Sequence, residues 1–225
     1  MSNSTEWCRM LHSTLSAETR KSMNSTKMIT QKEIDAYSFV QRYKDTKVYT
    51  VNINAVETLK RALYDCGKIG VLNYMSYINP TLNWRNGIVD WESLLCSCST
   101  LSSCLLQYAD DFFQENHDRL NDGMFTSDGL FTEKCYFYDE ENLLWKKETS
   151  VLSMAMPKWS ENESDKYFLI LLQRARDAVK VFNMFGCDSI IVGKETPDFI
   201  RMEAVWSKVI NSYSGLFKRV YIAQS

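Results

Sequence analysis

The sequence predicts an α/β fold in which helices cover both faces of a mixed central sheet, giving three layers. Residues 151–223 alternate between short apolar runs and amphipathic segments in the order strand, helix, strand, helix, strand. Residues 70–76 form a nearly continuous apolar run, which is typical of a strand buried on both faces. Residues 47–53 alternate in polarity and are rich in β-branched side chains, as in a further strand. Strands joined through helices in this way form a parallel or mixed sheet.

The first half of the chain begins with a polar, Ser- and Thr-rich arm that reaches to about residue 30. The elements predicted after it are a helix over residues 31–43, the strand over 47–53, a helix over 56–65, the strand over 70–76 and a helix over 91–108. A polar turn region, residues 79–90, separates the last two. Residues 114–147 are charged and aromatic with weak periodicity, so we expect loops and short strands along one edge of the sheet.

The second half has clearer boundaries. A strand over residues 150–156 stops at Pro157, and Ser160 with Glu163 fits a capping box that opens the next helix. Gly186 is the expected left-handed cap of that helix. The remaining predicted elements are a strand over 189–193, a helix that starts at Thr196 and Pro197 and ends near Gly215, and a strand over 219–223. We divide the chain into a helical extension packed on the core, residues 1–45, and one globular unit, residues 46–225.

Composition excludes several classes of function. Twenty-six basic and 28 acidic residues give a net charge of −2, so general nucleic-acid binding is not expected. No run approaches the roughly 18 apolar residues of a membrane helix, and the N-terminus resembles no signal peptide. Seven cysteines without a Cys-x-x-Cys pair indicate reduced thiols in a cytoplasmic protein. Three of them share one predicted helix without converging, so we expect no metal and no cofactor.

Two loops at strand carboxyl ends are the candidate ligand site, residues 79–93 and 193–199. Each feeds a helix, and the free N–H groups of a helix N-terminus favour an anion. Trp84 and Trp91 flank the first loop. They are expected either to stack on an adenine or to fill the cleft, and the sequence leaves both interpretations open.

Residues 70–101 resemble the microbial-type poly(ADP-ribose) glycohydrolase family, which has a macrodomain fold. The resemblance is carried, without a gap, by Val71-Leu72-Asn73-Tyr74-Met75-Ser76-Tyr77-Ile78-Asn79-Pro80, Trp84, Asn86-Gly87, Glu92, Leu95-Cys96, Ser99 and Leu101. Weaker agreement extends over nearly the whole chain. The resemblance implies a macrodomain-like α/β/α fold for residues 46–225 and ADP-ribose as the ligand.

The departures from the family pattern fall on its chemistry. Three glycines that let the backbone approach the ligand are replaced by Thr81, Leu82 and Asn83. The family's Gln-Glu-Glu, whose second Glu is the general acid, is here Trp91-Glu92-Ser93. A hydroxyl with a pKa of ~15 does not replace a carboxylic acid in that role. The late Gly-rich loop keeps Gly193 alone of its three glycines.

We therefore expect a catalytically degenerate member that binds ADP-ribose or a related NAD-derived nucleotide, as a reader or sequestering protein. The alternatives are a protein-interaction or structural module with a closed cleft, and a residual ADP-ribose glycohydrolase whose acid is Glu92. The expected ligand-binding residues are Asn79, Thr81, Leu82, Asn83, Trp84, Arg85, Asn86, Trp91, Gly193, Lys194, Thr196 and Phe199. The diphosphate is expected between the two loops, where Arg85 and Lys194 are the cations. Glu195 and Asp198 oppose them, which predicts weak binding.

Overall fold

Seven strands form one sheet in the structure, a computed structural model that describes residues 16–64, 67–76, 79–114, 126–138, 149–155, 157, 164–194 and 199–224. The strands are β1 (Thr26–Ile29), β2 (Lys47–Val51), β3 (Ile69–Tyr74), β4 (Gly129–Cys135), β5 (Thr149–Met154), β6 (Ser189–Gly193) and β7 (Arg219–Ala223). Their order across the sheet is β1-β4-β5-β3-β6-β7-β2.

The sheet is mixed, as predicted. β5, β3, β6, β7 and β2 run parallel, and β4 is antiparallel to both of its neighbours, β1 and β5. The carboxyl ends of the parallel strands therefore meet along one edge of the sheet, in the order β5, β3, β6, β7, β2. This is the edge where open α/β sheets bind ligands.

Helices cover both faces of the sheet. They are α1 (Ser16–Asn24), α2 (Gln31–Ala36), α3 (Ala55–Ala62), α4 (Leu82–Arg85), α5 (Trp91–Ser97), α6 (Leu101–Leu106), a π-helical turn (Ala109–Phe113), α7 (Ser164–Met184) and α8 (Phe199–Ser212). Alternate residues of each strand enter different layers: Leu72 packs with α7 and α8, whereas its neighbour Val71 packs with α3, α5 and α6. The predicted three-layer α/β/α architecture is confirmed.

Side-chain caps fix the helix starts near the candidate site. Asn54 accepts a hydrogen bond from the Glu57 backbone N–H at 2.9 Å and begins α3 directly after β2. Asp90 accepts one from the Ser93 N–H at 2.7 Å and begins α5. Gly186 adopts the left-handed conformation, φ 72°, that was predicted for the residue ending α7.

The prediction of one helix over residues 91–108 is wrong, because the chain forms α5 and α6 with a break between them. Backbone hydrogen bonds to the segment that follows β4 explain the break. Thr100 N–H donates to the carbonyl of Tyr136, and Tyr138 N–H donates to the carbonyl of Cys98. The Ser99 hydroxyl donates to the Leu95 carbonyl, which ends α5 locally.

Two elements lie in the polar arm predicted up to residue 30: α1, within the segment predicted as a helical extension, and β1, which the sequence pattern did not indicate. β1 pairs with β4, a short strand of the kind predicted within residues 114–147, and β4 lies one strand inside the edge because β1 covers it. The division of the chain at residues 45 and 46 stays a prediction. The predicted cap residues Ser160, Glu163, Thr196 and Pro197 lie outside the described residues. Within the described ranges, none of the helices has the length and apolar character needed to span a bilayer.

Candidate functional site

The candidate site follows the row of strand carboxyl ends. The end of β3 leads through residues 75–90 into α5, and the end of β6 is Gly193. The ends of β7 and β2 lie farther along, at Gln224 and Asn52. Sequence order alone separates these segments widely, and the parallel sheet brings them to one edge.

The N-terminus of α5 presents Trp91, Glu92 and Ser93, and all three side chains are buried. Both carboxylate oxygens of Asp90 hold this helix start in place. Oδ1 accepts a hydrogen bond from the Ser93 N–H, and Oδ2 accepts one from Asn83 Nδ2 at 2.5 Å. The loop between α4 and α5 is thereby tied to the start of α5.

Glu92 lies among buried polar groups at the end of β3, a cluster that we call the chamber, and the residue is 2% exposed. The Ser76 N–H donates to Glu92 Oε2 at 3.4 Å, and the Thr81 backbone and Asn73 side chain face the same carboxyl group. Burial is the strongest effect on this group and raises the pKa of Glu92 to about 7, against these hydrogen bonds, which lower it. Near neutral pH the carboxyl therefore exists in both protonated and ionised forms.

Several polar atoms of this chamber have no hydrogen-bond partner among the described residues. They are Asn73 Oδ1, Thr81 Oγ1 and Glu92 Oε1. The amide nitrogen of Asn73 is used, since it donates to Ser153 Oγ at 3.1 Å. Buried polar atoms without partners are uncommon in folded proteins, so a group of them marks a place that suits a polar ligand or water.

Thr81, which the sequence resemblance predicts at the position of the family's first glycine, has φ 58°, the left-handed conformation. A β-branched side chain rarely adopts this conformation, which glycine adopts freely. The backbone thus keeps a glycine-like path at Thr81, while the side chain adds a buried methyl and hydroxyl.

Aromatic side chains close the end of β6. The ring of Trp91 lies so close to Gly193 that a Cβ added there would be 2.7 Å from Trp91 Cη2 and Cζ3, and 2.9 Å from Tyr74 Cε2. Tyr74 OH donates to the Gly193 carbonyl at 2.7 Å and accepts from the Gly193 N–H at 3.1 Å. Trp206 Nε1 donates to the same carbonyl at 3.1 Å. We call Tyr74, Trp91 and Trp206 the aromatic seal.

The sequence left two roles open for the tryptophans, stacking on an adenine or filling the cleft, and the burial of Trp91 favours the second role. It is 1% exposed, and its Nε1 donates to the Leu72 carbonyl at 2.7 Å. Trp84 is half-buried and packs against the same core as α5.

Lys194 has its charge and its backbone N–H engaged. Its Nζ lies 2.8 Å from Glu203 Oε2 on α8, and its N–H donates to the Ala223 carbonyl at 3.1 Å. Arg85 is exposed, and its Nη2 donates to the Pro80 carbonyl at 3.0 Å. The two predicted cations thus lie on different loops, as the sequence indicated.

A cavity of about 640 Å³ opens at the ends of β2 and β7, and Trp91 forms part of its wall. Its lining consists of Asn52, Ile53, Asn54, Glu57, Val89, Asp90, Trp91, Leu94 and Gln224. Amide and apolar groups dominate, and two carboxylates but no lysine or arginine contribute to the lining. The volume is in the range of small-molecule sites.

The structure places most of the predicted ligand residues around this edge. Asn79, Asn83 and Asn86 lie on the loop between β3 and α5, with Asn86 exposed. Leu82 begins α4 and Phe199 begins α8, while Thr196 lies outside the described residues.

Sequence reasoning missed the residues that line the cavity from β2 and β7, and also Tyr74 and Trp206 of the aromatic seal. Asn54 directly follows the strand predicted over residues 47–53, and Asn52 is one of its last residues, so the strand-end rule applied to β2 would have found both. Nothing in the local sequence indicates that Trp206, far along α8, contacts Gly193.

The described cysteines are free, and most are buried. Burial raises the pKa of the Cys104 thiol to about 11, as expected of packed thiols rather than nucleophiles. In the part of the chain that the structure describes, no cluster of His, Cys, Asp and Glu side chains is arranged to hold a metal ion.

Comparisons with known proteins identify the relatives of this chain. The family model for "Microbial-type PARG, catalytic domain" matches residues 9–140, more than half of the chain. Poly(ADP-ribose) glycohydrolase from Thermomonospora curvata superposes with a TM-score of 0.77 at 14% identity, covering 92% of this chain and 82% of that one. The same enzyme bound to the inhibitor ADP-HPD gives 0.74 at 14% identity, covering 92% and 81%.

Poly(ADP-ribose) glycohydrolase from Deinococcus radiodurans in complex with ADP-ribose gives a TM-score of 0.77 at 15% identity, covering 92% of this chain and 90% of that one. No curated protein matches the chain. At this identity the structural likenesses establish the fold, which is the predicted macrodomain-like one, and the family model establishes the relationship. The chain belongs to the microbial-type PARG catalytic-domain family.

Proposed function

We propose that this protein binds ADP-ribose, or a related NAD-derived nucleotide, and does not hydrolyse it, acting as a reader or sequestering protein. The observation that carries the proposal is the cavity at the carboxyl ends of β2 and β7, in a chain of this family. A relative of the same fold has been solved with ADP-ribose bound. The cavity is large enough for a small-molecule ligand, and it lies at the edge where α/β sheets bind nucleotides.

The chemistry of the cavity suits the adenosine part of such a nucleotide. Asn52, Asn54 and Gln224 provide amide donors and acceptors, and Val89 and Leu94 provide apolar surface. Two carboxylates without a basic residue disfavour phosphate there. The diphosphate is therefore proposed to lie toward Lys194 and Arg85, as the sequence predicted.

Binding is expected to be weak, because this edge offers few free donors. The Gly193 and Lys194 N–H groups already donate to Tyr74 OH and the Ala223 carbonyl. The Lys194 ammonium pairs with Glu203. A diphosphate has to compete with these internal partners, which lowers its affinity.

Loss of hydrolysis is proposed from the residues at the start of α5. Ser93 stands where the family carries its general acid, and a hydroxyl does not protonate a leaving ribose oxygen near neutral pH. Glu92 retains a carboxyl, but the residue is only 2% exposed.

Calorimetric titration of ADP-ribose into the purified protein tests the proposal. Asn52 is exposed and lines the cavity, so Asn52→Trp fills the cavity without disturbing the core, and Asn52→Ala is the matched control. Saturable binding to the wild type is the expected result, weakened in Asn52→Ala, which removes one amide from the lining, and lost in Asn52→Trp, which fills the cavity. Absence of binding to the wild type contradicts the proposal and favours an interaction module with a closed cleft.

A second candidate function is residual glycohydrolysis with Glu92 as the acid. It is favoured by the unpartnered Oε1 and by the pKa of about 7, which is suited to a general acid. Release of ADP-ribose from modified protein by the wild type, abolished in Glu92→Gln, would establish this function instead.

A further inference from the structure

The aromatic seal divides the strand-end edge into two compartments. The chamber of Asn73, Thr81 and Glu92 lies at the ends of β5 and β3, and the cavity lies at the ends of β7 and β2. β6 stands between them in the sheet, and its last residue is Gly193. Any ligand that occupies both compartments must pass over Gly193.

Trp91 occupies that passage. Its ring lies against the backbone of Gly193 closely enough to exclude even a methyl group. The ring cannot easily swing away, because Nε1 is held by the Leu72 carbonyl and one side packs against Tyr74, with ring centroids 5.6 Å apart. Tyr74 is held in turn by both polar groups of Gly193.

The two compartments differ in what they offer. The cavity presents amides and apolar surface. The chamber holds unpartnered oxygens on Asn73, Thr81 and Glu92, which suit hydroxyl groups of a sugar. An extended nucleotide would gain hydrogen bonds from the chamber only if its far end could cross the position of Trp91.

We propose that Trp91 is the specificity-determining residue of this site: it confines the ligand to the cavity side, so the protein reads the adenosine diphosphate half of its ligand and not the distal ribose. This inference rests on the proposed function and deepens it. It makes ADP and ADP-ribose equivalent ligands. It also keeps the distal ribose away from Glu92, whatever the protonation state of that carboxyl.

The experiment compares the affinities of ADP and ADP-ribose for the wild type, Trp91→Ala and Trp91→Phe. In the wild type the two ligands are expected to bind with dissociation constants within about 3-fold, since the distal ribose adds no contact. Trp91→Ala opens the passage, and ADP-ribose is expected to bind at least about 10-fold tighter than ADP, equivalent to ~1.4 kcal/mol. Trp91→Phe keeps a ring in the passage and is expected to behave as the wild type.

The outcomes separate this inference from the proposed function. Wild-type protein that binds ADP-ribose 10-fold or more tighter than ADP overturns the inference, even though the proposed function then stands. If the wild type binds neither ligand, the proposed function fails, but selective ADP-ribose binding by Trp91→Ala still supports the partition. Folded Trp91→Ala that shows no preference for ADP-ribose overturns it. If Trp91→Ala does not fold, the wild-type ratio of the two affinities decides.

Discussion

Substitution of Gly193 by alanine is expected to destabilise the protein through a single steric conflict. The backbone of Gly193 does not have a positive φ, so alanine meets no conformational penalty there. The added Cβ would lie 2.7 Å from two ring carbons of Trp91 and 2.9 Å from Tyr74, closer than real Cβ contacts. Both rings are held by hydrogen bonds and cannot yield freely.

The magnitude follows from the cost of overpacking a filled core. One inserted methyl against fixed neighbours typically lowers the free energy of unfolding by about 1–3 kcal/mol. In a chain of this size each kcal/mol lowers Tm by roughly 2–4 °C. Urea denaturation followed by circular dichroism measures the free energy, and a thermal scan measures Tm. Gly87→Ala is the comparison for backbone strain without a steric contact, since Gly87 has φ 73° and nothing lies within 4 Å of the added Cβ.

A double-mutant cycle with Trp91→Ala tests the cause. Removal of the indole leaves only the Tyr74 contact, so Gly193→Ala should cost clearly less in that background. Equal destabilisation by Gly193→Ala with and without Trp91 would refute the argument that Trp91 fills the space over Gly193.

Three further predictions follow from the same edge of the sheet. Thr81→Gly relieves a left-handed β-branched residue and is expected to raise the free energy of unfolding by up to about 1 kcal/mol, whereas Thr81→Ala keeps φ 58° and is expected to bring no such gain on urea denaturation. Tyr74→Phe leaves the buried Gly193 N–H without its partner and should cost about 1–3 kcal/mol by the same assay; a loss below 0.5 kcal/mol would count against the seal. Burial raises the pKa of Glu92 from 4.5 to about 7 in the folded state. Between pH 4.5 and 7 the folded state therefore binds a proton that the unfolded state has lost. The free energy of unfolding should fall by up to about 3 kcal/mol as the pH rises through this range. Glu92→Gln should remove that part of the pH dependence, and identical pH profiles of wild type and variant would contradict it.

The elements that sequence reasoning located best are those whose pattern is set by burial on both faces. β6 and β7 were predicted with the bounds that the structure shows, because consecutive apolar residues enter the two core layers in turn. β1 was missed because only the first and last of its four residues are buried, and so short a strand has too few apolar residues to stand out in a polar arm. The break between α5 and α6 depends on bonds to residues 136–138, which no local pattern reports.

The candidate site was predicted in part, for a related reason. Loops at strand ends can be identified from strand boundaries, so the segments around Asn79 and Gly193 were found. The aromatic seal depends on contacts between residues more than 100 positions apart, such as Tyr74 with Gly193 and Trp206. From the sequence, Trp91 was expected either to stack on an adenine or to fill the cleft. Only its tertiary packing distinguishes these two roles.

The most direct test of the central claim is a single-turnover release measurement. Protein carrying labelled ADP-ribose is incubated with an excess of this chain at pH 7, and the free and retained label are both quantified. The account predicts that the labelled protein is bound while release stays at the level of the buffer control, because Ser93 replaces the acid and Trp91 separates the ligand from Glu92. Release of the label by the wild type, lost in Glu92→Gln, would contradict it.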